Sequence, residues 1–290
     1  MDLLKDNNDI LVSISCITYN HAPYIRQCLD GFLMQRTNFA FEVLIHDDCS
    51  TDGTTDIIRE YEKKYPDIIK PIYEEENQYQ QGKPSGSVVW NFPRARGKYI
   101  AMCEGDDYWV DSLKLQKQVD FMEAHLDYSL CFHNYNQLWP DGNIVPISKN
   151  MTDPLNCSIK DAILSGGGYM ATNSMLFRTK YIENIPLWTT IGAVDFSLML
   201  ILFHSGKVVH LDIVGSVYRV NSIGSWSEKM NKISFVLQNT RNSDVILRNF
   251  NKWSNKKYHN VILLKRIKNQ LITIKLILKI YCRKFFSCLK

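Results

Sequence analysis

Two short apolar runs in this chain each end in a crowd of carboxylates, and that arrangement constrains the fold more than any other feature. Tyr99-Ile100-Ala101-Met102-Cys103 leads into Glu104-Gly105-Asp106-Asp107, and residues 41–46 lead into Asp47-Asp48. Apolar runs of this length read as buried strands. Carboxylates this close repel one another unless a cation sits among them. Hard divalent cations such as Mg²⁺ take carboxylate oxygens and keep positions open for substrate phosphates. Two strands that both end in acid point to one site at one edge of a sheet.

The surrounding stretches alternate in the same way. Residues 11–17 read as a strand and residues 18–21 as a loop; Pro23 suits the first turn of a helix that turns Ile25, Leu29 and Phe32 inward. Ile57, Ile58, Tyr61 and Tyr65 mark a second helix, stopped by Pro66. Residues 68–73 form a third short strand, 74–87 an exposed polar loop and 99–103 a fourth strand. Asp111 or Ser112 can cap a helix whose inner face is Leu115, Val119, Met122 and Leu126. This order predicts an α/β layer with a mainly parallel sheet flanked by helices. Ligands of such sheets bind beyond the carboxyl ends of the strands, where both acidic pairs lie. The second half is less regular: residues 129–133, 174–178 and 208–214 look like strands, 166–168 a flexible glycine loop, and 194–203 a helix with Asp195 at its start.

Each candidate residue has a structural alternative. Asp106 and Asp107 could hold a metal that bridges a diphosphate, or be solvated carboxylates of a loop. Glu104, two residues before Asp106, could reach a ribose hydroxyl or the metal's water shell. Asp48 could accept a hydrogen bond from a base or ribose, or serve the 47–54 turn; Asp52 reads as a turn residue. Thr18 and Asn20 could frame a base or brace a turn. Asp195 is either a helix cap or a general base, and an apolar setting would raise its pKa and improve it as a base. Arg219 could pair with phosphate or cover a surface.

The net charge of +4 conceals an asymmetry: residues 245–290 carry twelve Lys or Arg and no Asp or Glu, which leaves the remainder acidic. A basic tail on an acidic body suggests an anionic surface as partner. Lys265, Lys268, Lys275, Lys279 and Arg283 recur at helical spacing, interleaved with Ile and Leu. No uncharged run there reaches the roughly 18 residues a spanning helix needs. Residues 261–290 therefore predict either a basic amphipathic helix on an anionic membrane surface or a helix packed on the body with a solvated basic face. The acidic remainder argues against specific nucleic-acid binding. Eight scattered cysteines without a CxxC pair, together with a polar start that lacks a basic leader, suggest a reducing, cytoplasmic location and no structural zinc.

Three segments occur in one order: residues 12–20 (VSISCITYN), 45–54 (IHDDCSTDGT) and 97–109 (GKYIAMCEGDDYW). On these the chain resembles the family 2 glycosyltransferases of the GT-A fold, most of all bacterial enzymes of surface-polysaccharide synthesis. The resemblance implies a nucleotide-binding sheet in residues 1–130, an acceptor half in 131–240 and a basic helical region in 241–290. It implies that Thr18 and Asn20 line the nucleotide, that Asp48 contacts the base, and that Glu104-Gly105-Asp106 is the metal-binding motif. Asp106 would be the main ligand of Mg²⁺ or Mn²⁺, supported by Asp107. Asp195 would be the catalytic base, although Val194 stands where relatives usually show Glu. Residues 218–226 (YRVNSIGSW) match a family segment that often reads Tyr-Arg-x-His followed by Gly-Gly; here Asn221 and Ile223 depart from it. The implied reaction is inverting transfer of a sugar from a nucleotide-diphosphate sugar, a UDP-sugar first, to a saccharide or lipid-linked acceptor. A metal-dependent nucleotidyltransferase would use similar chemistry, but usually has a Gly-rich phosphate loop after its first strand, and residues 18–23 contain no glycine. A non-catalytic module that binds nucleotide sugars or polyanions is the other alternative. No GxGxxG follows any strand, which speaks against a dinucleotide dehydrogenase.

Overall fold

A computed structural model describes residues 9–83, 86–148 and 153–288, with side chains described as far as residue 280. The chain opens β1 (Ile10–Thr18), α1 (Ile25–Leu33), β2 (Ala40–Asp47), α2 (Thr54–Lys64) and β3 (Ile69–Tyr73). It continues α3 (Ser87–Trp90), β4 (Tyr99–Met102), β5 (Tyr108–Trp109) and α4 (Lys114–Ala124). Then come β6 (Tyr128–Leu138), β7 (Ile144–Ile147), α5 (Ile159–Ser165), β8 (Leu176–Arg178) and α6 (Val194–Ser205). β9 (Lys207–Arg219), α7 (Trp226–Lys229), α8 (Ile233–Trp253) and α9 (His259–Cys288) complete it.

The strands form one sheet in the order β3-β2-β1-β4-β8-β6-β9-β5, with β7 paired to β6. The β3-β2-β1-β4 half is wholly parallel, as the strand–helix alternation requires. Beyond β4 the sheet is mixed: β8 runs antiparallel to β4 and β6, whereas β9 pairs parallel with β6 and antiparallel with β5. Successive residues of a strand face opposite sides. Tyr99, Ala101 and Cys103 therefore join the core under α1 and α4, while Ile100 and Met102 join the core under α5, α6 and α8. A three-layer α/β/α sandwich results, and its parallel strands all end at the edge that carries Thr18, Asp47 and Cys103.

Some expectations need correction. Leu126 lies beyond the end of α4 and is 67% exposed; the buried face of that helix carries Lys114 and Gln118 beside Leu115, Val119 and Met122. No side chain caps α4 at Leu113; Asp111 instead accepts the Leu113 amide at 2.9 Å. Residues 166–168 form part of a 3₁₀ turn, Gly166–Tyr169, with Gly166 and Tyr169 buried. Residue 241, where a basic helical region was expected to begin, falls inside α8, whose Ile246, Leu247 and Phe250 belong to the main core. Lys265 leaves the expected basic stripe altogether: it is buried, and its Nζ donates to the Leu164 carbonyl at 3.1 Å. Lys268, Lys275 and Lys279 remain exposed, and the side chain of Arg283 is outside the described residues. No helix among the described residues is long and apolar enough to cross a membrane.

Candidate active site

The acidic motif sits where β4 runs out beside β1. The Cys103 amide donates to the Ser15 carbonyl at 3.1 Å and the Gly105 amide to the Ile17 carbonyl at 3.0 Å, so the parallel pairing carries on past the strand into the motif. Only glycine fits at position 105. A Cβ there would stand 2.6 Å from Thr18 Oγ1 and 2.9 Å from His21 Nδ1. Thr18 and His21, hydrogen-bonded to each other at 3.1 Å, thus form the floor under the motif. Burial holds the His21 imidazole below its usual value, although Asp106 pulls the other way.

Glu104, Asp106 and Asp107 each bring a carboxylate oxygen within 4.8 Å of the others. Their surroundings differ. Asp107 is buried and fully engaged: Oδ1 accepts the Arg219 amide at 2.8 Å and Oδ2 accepts the Asn173 side-chain amide at 2.9 Å. Burial, with Asp106 next to it, raises its carboxyl well above the ordinary range. Asp106 accepts only the Ser222 hydroxyl, at 2.7 Å on Oδ2, which leaves Oδ1 without a described partner. Burial, reinforced by the charges of Asp106 and Asp195, pushes Glu104 up to about 8. Three crowded hard carboxylates suit a Mg²⁺- or Mn²⁺-sized cation, whose charge would oppose the upward shifts of Glu104 and Asp107.

The polypeptide brings distant segments to this edge. Asn173 donates to Asp107, accepts the Ser216 hydroxyl at 2.7 Å on its side-chain oxygen, and accepts Trp109 Nε1 at 2.9 Å on its carbonyl. Arg219, 9% exposed, lies between the rings of Tyr24 and Tyr108 and bonds the Asp106 carbonyl and the Gln27 side chain. Its guanidinium is thereby committed to clamping β9 and α1 onto the motif. Asn173 and Gln27 were not singled out from sequence; they lie far from the motif along the chain, and no local pattern marks them, whereas Ser222 falls in the 218–226 segment but was given no role there.

The other expected residues divide. Asp195 occupies the first turn of α6, and its charge adds, after burial and Asp106, to what raises Glu104. Its Oδ1 accepts the Phe196 amide at 2.7 Å, while Oδ2 has only a long contact, 3.4 Å, with the Thr172 hydroxyl. Burial raises its carboxyl above the ordinary range. Asp48 accepts the Gln78 and Tyr79 amides at 2.7 and 3.1 Å and so pins the loop after β3, with lone pairs still to spare on each oxygen. Asn20, at φ 54°, accepts the Thr51 amide at 2.8 Å and ties the two loops of this edge together. Asp47 accepts the hydroxyls of Ser50 and Thr55, and Asp52 accepts the Ala22 and Thr54 amides. The second acidic pair therefore organises loops, whereas the first, among the described residues, gathers three carboxylates into one cluster in which Asp106 keeps an oxygen without a described partner.

Behind the motif, α4 buries Lys114 completely. Its Nζ lies 3.9 Å from the centre of the Trp109 ring and donates to Gln118 Oε1 at 2.8 Å. Burial lowers its pKa to about 7. The folded state therefore binds fewer protons than the unfolded chain between about 7 and 10.5, so this lysine costs most below pH 7 and its cost fades as pH rises. Lys114→Met is expected to melt several degrees higher than the parent at pH 6.5, a net gain of about 2 kcal/mol after the orphaned Gln118 oxygen is counted. Thermal melts from pH 6 to 10 should show that advantage shrinking and then reversing, as the charge cost fades and the orphaned Gln118 oxygen remains; a difference independent of pH would contradict the buried charge.

A parallel α/β sheet whose carboxyl edge gathers hard carboxylates defines a class of folds that can seat a cation-bound anion there. The glycosyl transferase family 2 model matches residues 13–200, and the chain belongs to that family. An uncharacterized protein of Mycobacterium tuberculosis is 37% identical over 220 residues, covering 74% of this chain and 60% of that protein. The chain thus spans less than two thirds of the length of the first curated relatives it matches. The Escherichia coli protein named UDP-Glc:alpha-D-GlcNAc-diphosphoundecaprenol beta-1,3-glucosyltransferase WfaP is 30% identical over 213 residues, 73% of this chain and 78% of that protein. Among solved structures, S. aureus TarS 1-349 superimposes with a TM-score of 0.60 at 18% identity, covering 90% of this chain and 71% of that one. The fold is accordingly that of the GT-A glycosyltransferases.

Proposed function

We propose that this chain is an inverting, metal-dependent glycosyltransferase. It moves a sugar from a nucleotide-diphosphate sugar, a UDP-sugar first among them, to a hydroxyl of a saccharide or lipid-linked acceptor in polysaccharide synthesis. The observation that carries the reading is the carboxylate cluster Glu104-Asp106-Asp107 at the carboxyl edge of the parallel strands. Asp106, with Glu104 beside it, would hold Mg²⁺ or Mn²⁺. Such an ion supplies neutralising charge to a diphosphate leaving group. Asp107 keeps β9 and Asn173 in place behind the ion's ligands. Thr18, Asn20 and Asp48 frame the nucleotide side. Asp195 takes the proton from the acceptor hydroxyl, and that oxygen attacks C1 from the face opposite the departing diphosphate oxygen. One displacement breaks one C1–O bond, makes another and inverts the anomeric centre. WfaP, by its name, uses a UDP-sugar and a lipid-linked diphosphate acceptor, which supports the same substrate classes here. The protein would work in the cytoplasm, held at the inner membrane face through residues 261–290.

Incubating the full chain with a panel of nucleotide sugars and Mn²⁺ tests this. Release of nucleoside diphosphate is expected. Release of pyrophosphate instead would identify a nucleotidyltransferase, and survival of every donor would leave only a binding module.

A further inference from the structure

The polarity of α9 is inverted with respect to the protein it packs on. A surface helix ordinarily turns its apolar stripe inward. Beyond the first turn, where Ile262 joins the main core, the inward face is largely polar. Arg266 bonds Asp244 of α8, the Asn269 side chain donates to Ser243 at 2.9 Å, and the Thr273 hydroxyl meets that of Thr240 at 2.6 Å. The opposite face carries Leu263, Leu264, Ile267, Leu271, Ile274 and Leu278, each between 46% and 58% exposed. At 1.5 Å per residue this ridge is about 22 Å long. A contiguous apolar surface of that extent marks an interaction site, whereas scattered exposed leucines would not.

The flank of the ridge indicates what covers it. Lys268, Lys275 and Lys279 border it and are exposed, and no acidic residue occurs anywhere from 245 to 290. A second copy docked ridge to ridge would set one acid-free segment against another. An anionic bilayer answers both features: lysine headgroups pair with lipid phosphates while the leucines enter the acyl boundary. The lysines and the absence of a spanning helix among the described residues fit a helix that lies in the interface plane.

The same helix touches the acceptor side of the site. Its inward Lys265 donates to the carbonyl of Leu164 at the end of α5, immediately before the Gly166–Tyr169 turn. Gly166 has φ +74°, and a Cβ there would stand 2.9 Å from Lys265 Nζ. A Cβ on Gly167 would lie 3.9 Å from Asp195 Oδ2. Only a short run of backbone separates the lysine of α9 from the carboxylate of α6.

We propose that the outward ridge of α9 lies on an anionic bilayer surface and thereby seats the Gly166–Tyr169 turn, beside Asp195, at that surface. The second half rests on the glycosyl-transfer reading of Asp195; the first does not. Flotation of the full chain with phosphatidylcholine vesicles containing about 30% phosphatidylglycerol should recover about tenfold more protein than with phosphatidylcholine alone. Leu271→Glu/Ile274→Glu should abolish that binding and leave nucleoside-diphosphate release in vesicle-free solution unchanged. Amide exchange in the Gly166–Tyr169 turn should slow with anionic vesicles for the parent and not for the double variant. Equal flotation of parent and variant overturns the proposal. So does a parent that ignores vesicles but sediments as a dimer that the double variant dissociates, which assigns the ridge to a second copy. Vesicle binding without any donor turnover would uphold the docking surface and sink the transferase reading.

Discussion

Asp195→Asn is expected to lower sugar transfer by about 10³-fold while leaving donor binding intact, because a positioned general base contributes roughly 10²–10⁴-fold. The amide is nearly the same shape and keeps an oxygen for the Phe196 amide at the start of α6. The variant should therefore fold and melt close to the parent, and mixing with donor and Mn²⁺ should give the same thermal shift. What it loses is the lone pair of an ionised carboxylate. Burial raises the Asp195 carboxyl above its ordinary value, so the parent's rate should climb with pH as that group ionises. The residual activity of the variant should lack this acidic limb. If Asp195 merely caps α6, transfer persists in Asp195→Asn, and only Asp195→Ala, which removes the oxygen that accepts the Phe196 amide, loses stability, by about 0.5–2 kcal/mol. Single-turnover rates and melting curves on one protein preparation separate the two.

The parallel half of the fold was legible because each element there announces itself locally. The strand expected at 11–17 spans Ile10–Thr18, and the helix expected from Ile25, Leu29 and Phe32 spans Ile25–Leu33. Apolar runs and helical spacing suffice when both faces of a sheet are covered. β5 could not be found this way: Tyr108-Trp109 is too short to show a period, and it is a strand only because β9 pairs with it. β6 was expected to end at His133, yet it continues to Leu138 through Asn134, Tyr135, Asn136 and Gln137, polar residues held by β7 and β9. At the site, the carboxylates were readable but their division of labour was not. Asp47 and Asp106 look alike in sequence; hydroxyls of Ser50 and Thr55 engage the first, whereas the second keeps an oxygen free. Arg219 reads as a phosphate partner or a surface residue, and only the folded chain shows it stacked between Tyr24 and Tyr108. For α9 the sequence shows two kinds of residue on one helix, and the packing on α5 and α8 decides which kind faces out.

Asp106→Asn should produce opposite effects in the absence and presence of metal. Without metal, Glu104, Asp106 and Asp107 hold their oxygens within 4.8 Å of one another, and unit charges at such a separation repel by a few kcal/mol at an effective dielectric of about 20. Part of that repulsion is relieved by proton uptake, so removing one charge should stabilise the metal-free protein by about 1 kcal/mol, or roughly 2–4 °C in Tm. The substitution should do no local damage, since an asparagine oxygen can still accept the Ser222 hydroxyl and the Asp106 carbonyl that Arg219 grips is unaltered. With Mn²⁺ and UDP at about a hundred times their dissociation constant, the parent should gain about 2.7 kcal/mol and the variant almost nothing. The two melting temperatures should therefore cross between the metal-free and loaded states. Transfer should fall by about 10³-fold in the variant, the scale on which loss of a charge-stabilising partner shows in the rate. A variant that is less stable than the parent without metal, or that still shifts with Mn²⁺ and UDP, would show that Asp106 serves the fold and that the cation, if one binds, is held elsewhere.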